Sequence, residues 1–347
     1  MKQQEPLFGK TLNELKQIVQ DSGLPAFAAK QIAEWLYKKG ALQIEDMTNI
    51  SLVNREKLKE KYTVGRVNPT KVQTSVDGTK KYLYPVNNEK FIESAYIPEK
   101  ERATLCVSSQ VGCKMGCVFC MTGKQGFQAH LSATEILNQI QSLPEFENIT
   151  NVVYMGMGEP MDNLSEVLKS LEILTSDYGY AWSPKRITVS SIGILPELLE
   201  FLKRSKCHLA ISLHSPYGDE RQKLMPIQKA QPIKDVIMAI RSFDFGLQRR
   251  VSFEYIMFGG LNDTPRHASE LAKILNGMRC RINLIRFHAI PDSPLKGTDE
   301  DALIKFQEML NSKGIITTIR ASRGQDIFAA CGLLSTMEHI KNKQVDF

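Results

Sequence analysis

The chain has 347 residues, 42% of them apolar and 24% charged, which excludes a disordered or fibrous protein. The length allows one large domain with an appendage, or two domains. No apolar run approaches the ~20 residues a membrane helix needs. The start of the chain carries no apolar signal segment, and seven cysteines are too few for a disulfide scaffold. The expected compartment is the reducing cytosol, where clustered cysteines hold metal or do chemistry.

The formal net charge is +6, and it is unevenly placed. Residues 1–90 hold 15 Lys and Arg against 10 Asp and Glu, so a net +5 lies in the first quarter. Charge runs such as 55–61 ordinarily mark solvated helix faces. The alternative is a module that grips a polyanion by releasing counterions.

Thr11-Leu12-Asn13-Glu14 fits a capping box, and Leu12, Leu15, Ile18 and Val19 follow at helical spacing up to Gly23. A second helix is predicted over 26–39, with Phe27, Ile32, Trp35 and Leu36 inward and Gly40 as the stop. A third covers 53–62. From 72 to 97 the pattern alternates, broken by the turn pairs Asp77-Gly78 and Asn87-Asn88.

Beyond Arg102, strand-like runs recur at 103–108, 152–155, 187–190, 209–213, 251–256, 282–285 and 315–319. Helical patterns lie between them at 133–141, 164–174, 195–203, 233–243, 265–276 and 301–312. Alternation at this spacing predicts a parallel sheet with helical crossovers, and six or seven units favour a full or partial barrel. In such a barrel chemistry collects where strands end. The cysteine cluster at 113–120, Gly158-Glu159, Ser190, Ser212-Leu213-His214, His288 and the segment from Arg323 to Cys331 all fall there.

Cys113, Cys117 and Cys120 form C-x3-C-x2-C, with Gly112 and Gly116 permitting a tight loop. A structural zinc site would need a fourth ligand from afar, Cys106 or His130. A redox pair needs only C-x2-C. A four-iron cluster with three protein ligands leaves one iron open, and the spacing favours that reading. Taken alone, Cys106 and Cys331 read as small core residues. Glu93 reads as a solvent-facing carboxylate, and Cys207, Cys280, His208, His267 and His339 as structural.

C-x3-C-x2-C ahead of a βα barrel resembles the radical S-adenosylmethionine (SAM) superfamily. The stretches at 102–113, 155–160, 211–214 and 323–332 resemble one branch of it, the RlmN-type dual-specificity rRNA/tRNA adenine-C2 methyltransferases, and the likeness covers nearly the whole chain. The resemblance implies an α/β fold: a partial (β/α)6-type TIM barrel at 102–335 with a helical RNA-binding domain at 1–65. A β-hairpin extension occupies 66–101 and a C-terminal tail 336–347.

It further implies that Cys113, Cys117 and Cys120 bind three irons of a [4Fe-4S] cluster whose open iron chelates SAM. Gly158 and Glu159 would meet the amino-acid end of SAM, and Ser190, Ser212, Leu213, His214 and His288 the nucleoside part. Some relatives carry Asn where His288 stands, and both side chains donate a hydrogen bond. Cys331 would carry a methyl group from a first SAM, and a second would yield the radical that activates it. Cys106 would then attack the Cys331 sulfur, leaving a transient Cys106–Cys331 disulfide that thiols reset. Glu93 would accept the C2 proton. The implied substrates are an adenosine in the peptidyl-transferase region of 23S rRNA and the adenosine beside the tRNA anticodon, each extruded into the site. A flavodoxin- or ferredoxin-type reductant and a monomeric enzyme complete the expectation. The rival readings are a Cfr-like adenine-C8 methyltransferase and a zinc-stabilised RNA-binding protein without catalysis.

Overall fold

The computed structural model describes residues 4–86, 89–245 and 251–336. The Asn87-Asn88 turn, His339 and all of the expected tail beyond Thr336 lie outside the described residues.

Strand β1 (Glu5–Pro6) pairs in parallel with β2 (Tyr62–Thr63) and closes off an N-terminal helical unit. Helix α1 (Leu12–Asp21) starts at the expected box. The Glu14 N–H donates to Thr11 Oγ1 at 3.3 Å, and the Thr11 N–H donates to Glu14 Oε2 at 2.7 Å. Helix α2 (Ala28–Tyr37) buries Ile32, Ala33 and Leu36 as its period requires. Phe27 was expected inward but is 64% exposed: it stands at the N-cap, ahead of the buried stripe. Helix α3 (Leu52–Lys59) ends short of Tyr62 because that residue is drawn into β2.

Three antiparallel strands, β3 (Lys71–Thr74), β4 (Lys80–Val86) and β5 (Lys90–Pro98), come next. The expected Asp77-Gly78 turn joins β3 to β4, with Gly78 at φ 85°. β5 then pairs with β6 (Ala103–Cys106), setting Ala95 opposite Cys106, so these strands continue the sheet of the core. A short ladder of β7 (Gln110–Val111) and β8 (Ala129–His130) brackets the cysteine loop and α4 (Met121–Gln125).

The core follows in βα alternation: α5 (Ala133–Gln141), β9 (Asn151–Tyr154), α6 (Leu164–Thr175), β10 (Ile187–Ser191), α7 (Leu195–Arg204) and β11 (His208–Ser212). After it come α8 (Gly218–Leu224), α9 (Ile233–Arg241), β12 (Val251–Met257), α10 (Pro265–Leu275), β13 (Cys280–Arg286), α11 (Glu300–Ser312) and β14 (Thr317–Ile319). The ten-stranded sheet runs β3-β4-β5-β6-β9-β10-β11-β12-β13-β14, parallel from β6 onward. Among the described residues no pairing closes β14 onto β6, so the barrel is partial. It still curls: Cys106 at the end of β6 and Arg320 just after β14 line one cavity with Glu254 from β12. No described helix is long and apolar enough to cross a membrane.

Candidate functional site

The cysteine loop takes its shape from two glycines. Gly112 has φ 71°, and a Cβ there would fall 1.7 Å from the Gly126 carbonyl oxygen, so no side chain fits. Gly116 has φ 63°. The loop is pinned by Val118 N–H to the Leu224 carbonyl at 3.1 Å and Lys114 Nζ to Asp162 at 2.5 Å.

Cys113, Cys117 and Cys120 back onto Met115, Phe119 and Phe258 and act on one another electrostatically. Burial first, then mutual repulsion, pushes the Cys117 thiol far up; burial foremost pushes Cys113 to about 12. Burial raises Cys120 too, against N–H groups of Gly123 and Thr122. Among the described residues no three Cys, His, Asp or Glu side chains are arranged to hold a metal ion. The three thiols pack against one apolar cluster, and thiolate sulfur is the soft donor that suits an iron–sulfur cluster.

Around the loop, buried groups lock the strand ends. Glu159 receives N–H bonds from Met161 and Ile192, each at 3.1 Å, and Ser191 also bonds to it. Burial, opposed by those bonds, raises its carboxyl to about 7. Gly158 has φ 99° and packs so closely on Gln110 that a Cβ would stand 2.5 Å from that side chain. His214 accepts the Ile256 N–H at Nδ1, 3.0 Å, and meets the Phe119 ring edge-on at 4.9 Å. Burial and then Arg221 drive its pKa down to about 3, so the ring is neutral and Nε2 carries the proton.

Ser190 shares a strand face with Thr188, and Ser212 with His208; Thr188 and His208 line the cavity. Leu213 is fully buried, and its N–H donates to the Glu254 carbonyl at 3.0 Å. His288 lines the cavity half-buried, lowered by burial and then by Arg286.

The cavity itself holds about 520 Å³ and is lined by Cys106, Cys120, Met155, His288, Arg320 and Cys331, among others. Cys106 ends β6 and Cys331 lies in the loop that follows β14, so the two come from opposite edges of the barrel, and they lie within electrostatic reach of each other. Burial first, and then the Cys331 sulfur, push the Cys106 thiol up to about 12; Arg320 pulls the other way. Cys331 itself is exposed.

Its loop is clamped on both sides. Ahead of it, the Gly324 N–H donates to Asp77 Oδ2 at 2.8 Å, and Asp326 accepts from Ser75 Oγ at 2.5 Å and the Val76 N–H at 3.2 Å. Behind it, the Met121 N–H donates to the Gly332 carbonyl at 2.8 Å, and Thr122 Oγ1 to the Leu334 carbonyl at 2.6 Å. The tip of the β3–β4 hairpin and the helix after the cysteine triplet thus set the height of Cys331. Burial opposes ionisation of Asp77, but its bonds to Thr79, Gly324 and Ser75 bring it down to about 2. Asp77→Ala should loosen this clasp. We expect trypsin to cut faster at Arg323 and methyl transfer to fall by up to about a hundredfold, the cost of a misplacement of ~1 Å. Unchanged cleavage at Arg323 would show that the clasp does not hold the loop.

Glu93 was expected on the surface if it had no role, yet it is 4% exposed. Lys81 Nζ pairs with its Oε1 at 3.0 Å, and the Ser335 N–H donates to its Oε2 at 3.0 Å.

Three contributors escaped sequence reasoning. Lys81 lies diagonally across the β4–β5 pair from Glu93, and the hairpin register could have found it. Arg221, fully buried, donates to the carbonyls of Ile192, Ser212 and Leu213 at 3.0–3.1 Å and to Gln228 at 2.7 Å. It ties β10 to β11, but it lies in Gly-Asp-Glu-Arg-Gln-Lys-Leu, which reads as a solvated helix. Arg320 follows the last strand with no motif to mark it.

Comparison with known proteins gives the same reading. Residues 107–272 match the radical SAM superfamily, and residues 6–64 match the ribosomal RNA large subunit methyltransferase N-terminal domain. A protein of Bacteroides thetaiotaomicron named probable dual-specificity RNA methyltransferase RlmN is 58% identical over 339 residues, 98% of each chain. A dual-specificity RNA methyltransferase RlmN of Syntrophus aciditrophicus is 42% identical over 330 residues, 94% of each chain. The crystal structure of a radical SAM methyltransferase from Sphaerobacter thermophilus superposes with TM-score 0.89 at 35% identity, covering 95% of this chain and 99% of that one. The chain belongs to the RlmN family of radical SAM RNA methyltransferases, whose cofactors are a [4Fe-4S] cluster and S-adenosylmethionine.

Proposed function

We propose that this enzyme methylates C2 of an adenosine in the peptidyl-transferase region of 23S rRNA and of the adenosine beside the tRNA anticodon. The observation that carries the reading is the meeting of Cys106, Cys331 and Cys120 in one cavity, from three separate parts of the chain. Adenine C2 is electron-poor, so polar methyl transfer to it is unfavourable. When bound, the cluster and SAM supply an electrophilic methyl group and a carbon-centred radical.

The residues divide the remaining work. Cys113, Cys117 and Cys120 hold three irons. Gly158 and Glu159 receive the amino-acid end of SAM, and Ser190, Ser212, Leu213, His214 and His288 the nucleoside. Exposed Cys331 takes the methyl group on its sulfur. Glu93, held by Lys81, accepts the C2 proton. Cys106 attacks the Cys331 sulfur and releases the product, leaving a disulfide.

The N-terminal helical domain, residues 1–65, binds the RNA backbone together with the extension at 66–101, since residues 1–90 carry the surplus of positive charge, and the barrel follows at 102–335. The enzyme works as a cytosolic monomer with a flavodoxin- or ferredoxin-type reductant. Nucleoside mass spectrometry of RNA from cells lacking the gene tests the assignment. Loss of 2-methyladenosine is expected; loss of 8-methyladenosine alone, with 2-methyladenosine retained, would overturn it.

A further inference from the structure

Arg320 lines the cavity that holds Cys106 and Cys331. It follows β14, its N–H donating to the Leu284 carbonyl at 2.9 Å. Its carbonyl accepts from Arg286 Nη1 at 2.9 Å, and Arg286 is in turn held by both oxygens of Glu300. The backbone is therefore fixed from two sides.

The guanidinium reaches across the barrel. Nη1 donates to Glu254 Oε2 at 3.3 Å and lies 3.4 Å from the Met155 sulfur. Glu254 is buried, and its other oxygen accepts from Ser252 at 2.9 Å and Asn283 at 2.7 Å. Met155 packs in one cluster with Cys106, so the guanidinium that meets the Met155 sulfur borders the cavity that Cys106 and Cys331 share.

We propose that Arg320 is a positioning residue for product release, its guanidinium in the cavity it shares with Cys106 stabilising that sulfur as the thiolate that attacks Cys331. This rests on Cys106 being the resolving thiol. In that step an electron pair from Cys106 Sγ forms the S–S bond as the Cys331 S–C bond breaks. The departing carbon keeps the bonding pair and gains a proton, matching the proton that the Cys106 thiol gave up. The sulfurs are oxidised and the carbon reduced, so no outside oxidant is needed.

A counter-charge is needed because Cys106 sits in apolar company: Ala95, Val153, Ala329 and Met155. Desolvation there disfavours the thiolate. Across β5, Glu93 is already paired with Lys81. From the opposite side come Arg320, with Glu254 behind it, and Arg323 and His288 along the wall. Of these, Arg320 is the cation that touches the cluster around Cys106, through the Met155 sulfur. Glu254 keeps it in place and tempers its charge.

The test is the rate at which iodoacetamide labels Cys106 in the anaerobic full-length holoenzyme between pH 6.5 and 9.5, read by peptide mass. Arg320→Gln should shift the profile to higher pH and slow labelling at pH 8 at least about tenfold, one pKa unit or more. Arg320→Lys should recover most of that rate. Glu254→Gln, which keeps the hydrogen bond but removes the opposing charge, should shift the profile to lower pH and label faster than wild type. General loosening of the site cannot move the two variants in opposite directions, and if Arg320→Gln fails to fold, Glu254→Gln and Arg320→Lys still decide. A Glu254→Gln profile at or above the wild-type pH, or an Arg320→Gln profile that coincides with wild type, would overturn the role. If Cys106→Ala releases product normally, the resolving assignment fails instead, whatever the labelling shows.

Discussion

Cys331→Ala is expected to lower RNA methylation by more than about 10⁴-fold, the scale of loss when a covalent nucleophile is removed. Binding of RNA should survive, because the substitution removes no positive charge and leaves the bonds that hold the loop at Gly324, Asp326 and Gly332 in place. Cys106→Ala should fail in a different way. The methyl carbon would still be delivered to the base, but no sulfur would free it from Cys331. One RNA should then stay attached to each chain through denaturing electrophoresis, and ribonuclease should trim the shifted band. Free methylated product from Cys106→Ala would contradict the pairing of these two sulfurs. The expectation comes from the cavity, where the two cysteines meet although 225 positions separate them in sequence.

Glu159→Gln should produce the second large effect, with opposite consequences for stability and for cofactor binding. The Glu159 carboxyl is buried, and burial raises it from 4.5 to about 7 despite its N–H bonds. An acid whose folded pKa exceeds its unfolded value contributes its stability at low pH. That contribution is full below about 4.5 and is lost as the pH rises through 7. In the cluster-free, SAM-free protein the wild type should therefore lose about 3 kcal/mol between pH 4 and pH 8 relative to Glu159→Gln, from about 2.5 pKa units. Urea unfolding of both proteins across that range measures the difference, and parallel curves would show that the group is not desolvated as described. In the holoenzyme the same substitution should weaken SAM binding on the order of a hundredfold, as expected when a buried charged partner of an ammonium is lost.

The architecture was legible in the sequence because its signals are local. Helical spacing placed α1 and α2, β-branched runs placed the parallel strands to within a residue or three, and the turn pair at Asp77-Gly78 marked its hairpin. The three clustered cysteines were legible too, since loop closure over eight residues makes them neighbours in any fold. The clasp of Asp77 on Gly324 was not, because nothing local links residues 247 positions apart. Arg221 was hidden by its acidic and basic neighbours, although burial of a guanidinium is tolerated once its donors are spent on carbonyl groups. Phe27 misled because its hydrophobicity fits the helical stripe while its position lies one residue outside the helix.

Cys331 should carry the methyl group on its way to RNA. Peptide mass mapping of the enzyme purified anaerobically from cells, before RNA is added, tests it most directly. One extra methyl group is expected on the peptide containing Cys331, and that same methyl carbon should appear in the RNA when substrate RNA, SAM and reductant are supplied. Methylated RNA formed by an enzyme whose Cys331 is never alkylated would contradict it.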